Sequence, residues 1–169
     1  MSHRTAQTLI LLVDNEFGVL TRVTANIRRE GWNIKSLVVA ETMDPAVSRL
    51  TISVECIDST LPHVLERLGR LACVRDIRAW AEATHFSREL VLVTLRKGAG
   101  ERALKEAEGL GARVLYEGAG GVTLEFAGEP ARAESLIKTL EPFGVANVAR
   151  SGIVTLERPA EGEGNDEKA

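Results

Sequence analysis

Aromatic residues are scarce in this chain, 4% of its 169 residues, and the two stretches SLVVA and SRLTISVEC in its first half contain none. That removes the stacking platform with which a four-stranded sheet binds single-stranded RNA. Positive charge is not in surplus either: 21 Lys and Arg against 24 Asp and Glu leave a net charge of −3 and a pI near 5.7. No overall basic field attracts nucleic acid or an anionic membrane. There are only two cysteines, Cys56 and Cys73, both in apolar sequence and without CxxC spacing. They read as buried free thiols in a reducing compartment. His3, His63 and His85 are scattered without ligand spacing, so they are expected at the surface and not around a metal. Nowhere do 18 apolar residues run together, and the N-terminus lacks a signal-type apolar core and cleavage site, so a cytoplasmic protein is expected.

The apolar fraction of 44% is ordinary for a folded protein, and 18.3 kDa accommodates one average domain or two small ones. Hydrophobic spacing predicts strand 8–13, helix 19–29, strand 33–40, strand 48–56, helix 61–71 and strand 74–81. Val19, Leu20, Val23 and Ile27 mark one face of the first helix, and Arg22, Asn26, Arg29 and Glu30 the other. Leu61, Val64, Leu65, Leu68 and Leu71 do the same for the second, with Thr60 as a candidate N-cap ahead of Pro62. Met43, Asp44 and Pro45 make the turn between the middle strands. The order is βαββαβ, a split arrangement whose four strands form one antiparallel sheet with both helices on one face.

After Trp80 the pattern lapses into AEATHFS, and a second cycle begins: strand 89–96, helix 101–109, strand 112–117, strand 122–127, helix 130–140 and strand 145–157. Gly118, Gly120 and Gly121 mark its central hairpin, and Gly128–Glu129–Pro130 opens its second helix. The halves share an order but little sequence, so the repeat is architectural. The expected fold is α+β: two tandem ferredoxin-like βαββαβ domains over 1–84 and 85–158, joined near Ala81–Arg88. The tail 159–169, PAEGEGNDEKA, is expected to be disordered.

The stretch LILLVDNEFGVLTRV joins an apolar strand to an amphipathic helix through a short polar turn ending in Gly18. The first N–H groups of that helix, with the positive end of its dipole, sit at the turn and suit a small anion. Asn33, a polar residue at a strand start, is expected near the same turn. Asp14 and Glu16 have no nucleophile or metal partner and read as a solvated loop, not an acid and base. The stretches Lys97–Gly100 and Gly118–Gly121 lack the phosphate-loop spacing GxxxxGK[ST]; the second reads as a hairpin turn and the first as at most a weak anion seat. Arg22, Arg28 and Arg29 read as a solvated helix face.

Several separated motifs then point one way: DNEFGVLTRV, REGWNIKSLVVAETMDPAVSRLTI, HFSRELVLVTL and VARSGIVTLER. The first half resembles an ACT domain, and together the motifs resemble the small, regulatory subunit of acetolactate synthase over about Thr8 to Glu157. The resemblance implies a chain without an active site of its own. It would bind and activate the thiamine-diphosphate-dependent large catalytic subunit, and make it sensitive to valine or another branched-chain amino acid. No cofactor is expected in this chain; thiamine diphosphate, Mg2+ and FAD would belong to the catalytic partner. A homodimer is implied, with the effector commonly at the interface between two small subunits. The residues carried over are Asn15 and Gly18 at the turn and Asn33 with Ile34 at the facing strand start. Backbone N–H groups at Val19 would receive the effector carboxylate, Asn15 or Asn33 its ammonium, and Phe17, Leu20 and Ile34 would supply walls. A different class remains open: a stand-alone amino-acid-sensing ACT protein acting on another enzyme or on a transcriptional regulator.

The chain departs from the resemblance at Phe17, usually small or proline, and at Trp32, usually phenylalanine or tyrosine. Thr94 stands where many relatives carry lysine, and GLGARVLYEGAGG lacks that region's usual Phe-Arg-Gly and Asp. The second half therefore carries the family's functions less safely.

Overall fold

The computed structural model describes residues 4–57 and 60–159; His3 and residues 160–169 of the tail lie outside the described residues. The first half comprises β1 (Arg4–Asp14), α1 (Val19–Arg29), β2 (Asn33–Glu41), β3 (Val47–Ile57), α2 (Leu61–Gly69) and β4 (Val74–Ala79). Its strands form an antiparallel sheet in the order β2-β3-β1-β4. Alternation decides which residues meet the helices. Leu9, Leu11 and Val13 of β1 and Leu50, Ile52, Val54 and Cys56 of β3 form one buried cluster with Val19, Val23 and Ile27 of α1 and Val64 and Leu68 of α2. Cys56 and Cys73 are both buried in that cluster.

The second half repeats the plan with β5 (His85–Arg96), α3 (Gly100–Gly109), β6 (Arg113–Gly118), β7 (Gly121–Gly128), α4 (Pro130–Leu140) and β8 (Val145–Arg150), in the sheet order β6-β7-β5-β8. Val91, Val93 and Leu95 pack with Leu124 and Phe126 against alanines of the helices, Ala103, Ala107 and Ala133, all at most 1% exposed. Small residues there let the helices approach the sheet closely.

Three sequence expectations change here. The single strand expected over 145–157 is two: β8 ends at Arg150, and β9 (Val154–Glu157) leaves it to pair with His85–Arg88 at the start of β5. Gly152, at φ +84°, makes the corner. Continuous apolar alternation hid the break. Pairing with β9 also extends β5 back to His85, so the connection between the halves shortens from Ala81–Arg88 to residues 80–84. Finally, Thr60 occupies the start of α2 without capping it, since its hydroxyl donates to the carbonyl of Ile57 at 2.7 Å.

The two halves are in contact. The helix-free face of the first sheet is not bare: Ile10 and Thr51 on it are 6% and 4% exposed. The corner after β8 lies on this face, where a Cβ on Gly152 would come within 2.6 Å of Ser36 Oγ and Val38 Cγ2. Arg78 of β4 also pairs with Glu157 of β9.

Candidate functional site

The β1–α1 turn is held from both neighbouring strands. Asp14 is the last residue of β1, not part of a solvated loop, and its carboxylate accepts from Arg75 Nε at 2.7 Å. Arg75 is the unpaired residue of β4 at the bulge between Leu12 and Val13. Its guanidinium also lies 3.6 Å from Asp44 and donates to the carbonyl of Ala46 at 3.4 Å, joining the turn to the β2–β3 hairpin. Periodicity gives no signal for a bulge, so Arg75 was not foreseen.

Asn15 serves the same hairpin. Its Nδ2 donates to Glu41 Oε1 at 3.1 Å and to the carbonyl of Pro45 at 3.0 Å, while its Oδ1 accepts from Ser48 Oγ at 3.0 Å. Ser48 is 6% exposed, and this bond satisfies it. Asn15 is thus mainly a brace that fixes the turn; one lone pair of its carbonyl remains for a ligand.

Past the brace the turn presents donors. Gly18 takes φ +80° with open space where a Cβ would stand, so glycine is needed for the dihedral and not for clearance. α1 begins with no side-chain cap and no acidic residue in its first turn. Its N-terminal N–H groups therefore keep their affinity for an anion. Val19 is 3% exposed with its side chain in the core, and its N–H already donates to the Glu16 carbonyl at 3.4 Å, so the free donors are the next N–H groups of α1 and not that of Val19 as expected. Phe17 is fully exposed and Leu20 is 41% exposed. With Asn15 and Glu16, Phe17 lines an open shelf, not an enclosed pocket.

The structure separates Asn33 and Ile34 from that shelf. β2 runs parallel to β1 across β3: Asn33 pairs with Glu55, which pairs with Ala6, while Glu41 pairs with Ser48 near the Asp14 end. Asn33 therefore lies at the opposite end of β2, eight residues from Glu41, or about 26 Å at roughly 3.3 Å per residue. The expectation that Asn33 lies near the turn of its own chain is wrong, because a strand start and the end of a parallel strand occupy opposite ends of a sheet. Ile34 is half-buried against the first core.

The late motif Ala149–Gly152 is the other organised cluster. Arg150 donates to Glu89 at 3.1 and 2.5 Å and to Glu134 at 3.2 Å. The Glu89 side chain is 1% exposed, so the pair is buried on one side and satisfied. Hydrogen bonding to Glu89 raises the Arg150 guanidinium above its ordinary range, against the lowering effect of burial. Ser151 exchanges two bonds with Leu90, N–H to carbonyl at 2.9 Å and hydroxyl from N–H at 3.0 Å. These contacts present Gly152 to Ser36 and Val38 on β2.

His85 departs from expectation: it is 5% exposed, in a junction between the halves, with Nδ1 2.8 Å from Thr84 Oγ1. His63 is exposed. Among the described residues no cluster of three or more His, Cys, Asp or Glu could hold a metal ion, and no helix is long and apolar enough to cross a membrane.

Comparison with known proteins agrees with the motifs. Residues 9–76 match the AHAS small subunit-like ACT domain, and residues 88–159 match the small subunit of acetolactate synthase family. A Mycolicibacterium smegmatis protein named acetolactate synthase small subunit is 38% identical over 93% of this chain and 94% of its own length. The Aquifex aeolicus protein of the same name is 32% identical over 86% of this chain and 78% of its own length. The crystal structure of the acetolactate synthase small subunit from Thermotoga maritima superposes with a TM-score of 0.79 at 26% identity, covering 91% of this chain and 98% of that one. With an ACT-domain match over residues 9–76, a small-subunit match over residues 88–159 and relatives 38% identical over most of its length, this chain belongs to the acetolactate synthase small-subunit family.

Proposed function

We propose that this chain is the regulatory subunit that activates the catalytic, thiamine-diphosphate-dependent subunit of acetolactate synthase and makes it sensitive to valine or another branched-chain amino acid. Two copies pair through β2. This strand is nine residues long and lies at the open edge of its sheet, and an open edge invites pairing with an identical one. Antiparallel pairing about a two-fold near Leu37 sets Asn33 of one copy beside Glu41 of the other. Glu41 already binds Asn15, so the turn of one copy meets Asn33 and Ile34 of the other.

At that junction the carboxylate of the effector takes the free N–H groups at the start of α1, and its ammonium takes the Asn33 carbonyl and the remaining lone pair of Asn15. Leu20, Ile34 and Phe17 enclose an aliphatic side chain. Discrimination among valine, leucine and isoleucine is modest, since one methylene is worth about 1–3 kcal/mol. The observation that carries the reading is the uncapped, acid-free start of α1 held beside an open β2 edge.

Mixing the chain with purified acetolactate synthase catalytic subunit and titrating valine tests the proposal. Activation by the chain and its loss on adding the amino acid are expected. Absence of both, with amino-acid binding by the isolated chain retained, would instead make it a sensor for another partner.

A further inference from the structure

A cavity of about 310 Å3 lies where the two halves meet. It is walled by Thr8 of β1, the connection at Trp80 and Glu82, the first residues of β5, the start of α4, and β9. None of its lining residues belongs to the β1–α1 turn. Its polar groups are unusual in one respect. Three buried side-chain polar atoms find no hydrogen-bond partner among the described residues, and two of them, Trp80 Nε1 and Thr155 Oγ1, belong to residues that line this cavity. Thr155 is 2% exposed.

What the cavity offers is mostly donors. The start of α4 has no side-chain cap; Pro130 has no N–H, so the donor it brings to the cavity wall is the Ala131 N–H, with the positive end of the helix dipole. Arg88 and Arg158 add two guanidinium groups, Arg158 lying over the Phe86 ring at 4.5 Å. Phe86, Pro130, Ala131 and Ile153 supply apolar wall. Glu82 and Glu129 lie at the same cavity, Glu129 being 3.6 Å from Arg88.

We propose that this junction cavity is a second ligand site, for a small carboxylate with an aliphatic body. The carboxylate accepts from Arg88, Arg158 and the start of α4, and its body lies against Phe86 and Ile153. The volume is at the small end of ligand pockets, which admits a molecule of amino-acid size. A free α-amino acid adds an ammonium that Glu82 and Glu129 can hold; a simple fatty acid of the same shape does not. The site stands independently of the β1–α1 turn.

The chain has only two tryptophans, Trp32 and Trp80, so its two indole N–H resonances report the cavity separately from the first core. Each is assigned with Trp80→Phe. Isovalerate and valine are titrated into the full-length chain, into Gly18→Asp to disable the turn, and into Arg158→Gln and Arg88→Gln. The expected result is a concentration-dependent shift of the Trp80 resonance that persists in Gly18→Asp and weakens about tenfold or more in each arginine variant, as loss of a charged hydrogen bond requires. Equal affinity for the two probes means that the carboxylate alone is read, and tighter valine binding means that the ammonium is read too. The proposal is overturned by no shift at tens of millimolar, by a shift that disappears in Gly18→Asp, or by a shift unchanged in either arginine variant.

Discussion

In the first sheet the connection from β1 to α1 is braced by Asn15 and Arg75, and the helix it leads into carries no acid in its first turn. The equivalent connection of the second sheet, between β5 and α3, turns instead on Gly98 and Gly100, at φ +93° and +76°, and leads into a helix with Glu101 in its first turn. A carboxylate there occupies the electrostatic role an anionic ligand would take. The edges differ too: β2 is nine residues long, while β6 is six and exposes Val114, Leu115 and Tyr116. One fold drawn twice therefore braces this turn, ahead of an acid-free helix start, in only one copy, because the braces are side chains from other strands and not part of the βαββαβ order. The second copy is specialised at its other end, where Glu89 and Arg150 hold the end of β8 and the Gly152 corner that follows meets Ser36 and Val38 of β2.

Breaking that attachment has the largest expected effect. Arg150→Leu strands the buried Glu89 carboxylate and lowers unfolding free energy by about 3 kcal/mol, measured from urea midpoints. Because the guanidinium is raised in the folded state, its stabilisation is fully present below the unfolded-state value and is lost only as pH rises through the folded one. The difference between wild type and variant attributable to Arg150 should stay flat across neutral pH. Gly152→Ala forces an alanine into the left-handed region and a Cβ against Ser36 and Val38, a cost of about 2 kcal/mol, with amide shifts expected at Ser36 and Val38 of the first half.

Smaller effects sharpen the contrast at the turn. Asn15→Ala removes three hydrogen bonds at an exposed site and should cost about 1 kcal/mol of stability, yet weaken effector binding by calorimetry about tenfold or more by releasing the turn. Lys35→Gln breaks the exposed pair with Glu55, 2.9 Å apart, and should change stability by less than about 0.5 kcal/mol; a larger loss would give this bulged part of β2 a role beyond pairing.

Periodicity made most of the fold legible, since Val19–Arg29 and Pro130–Leu140 are helices over the residues their apolar spacing marks. The break at Gly152 was not, because the residues on both sides continue to alternate and only the pairing of β9 with His85–Arg88 decides it. His85 likewise reads as a surface residue until that ribbon covers it. At the candidate site the uncapped turn was visible from Asn15 to Gly18. Its braces were not: Glu41, Ser48 and Arg75 are 26, 33 and 60 residues from Asn15 in the chain, and one of them depends on a bulge. Asn33 was misplaced for a different reason: the expected split βαββαβ sheet already makes β2 parallel to β1, which sets a strand start and the β1–α1 turn at opposite ends of the sheet.

The central claim, that the effector lies between the turn of one copy and Asn33 of another, is tested most directly by mixing two defective chains. Gly18→Asp and Asn33→Ala should each fail to bind valine alone. Co-refolded in equal amounts, they should recover binding at about a quarter of the wild-type site number, because each mixed dimer contains one site with an intact turn and an intact Asn33. A mixture as silent as its components would contradict the account.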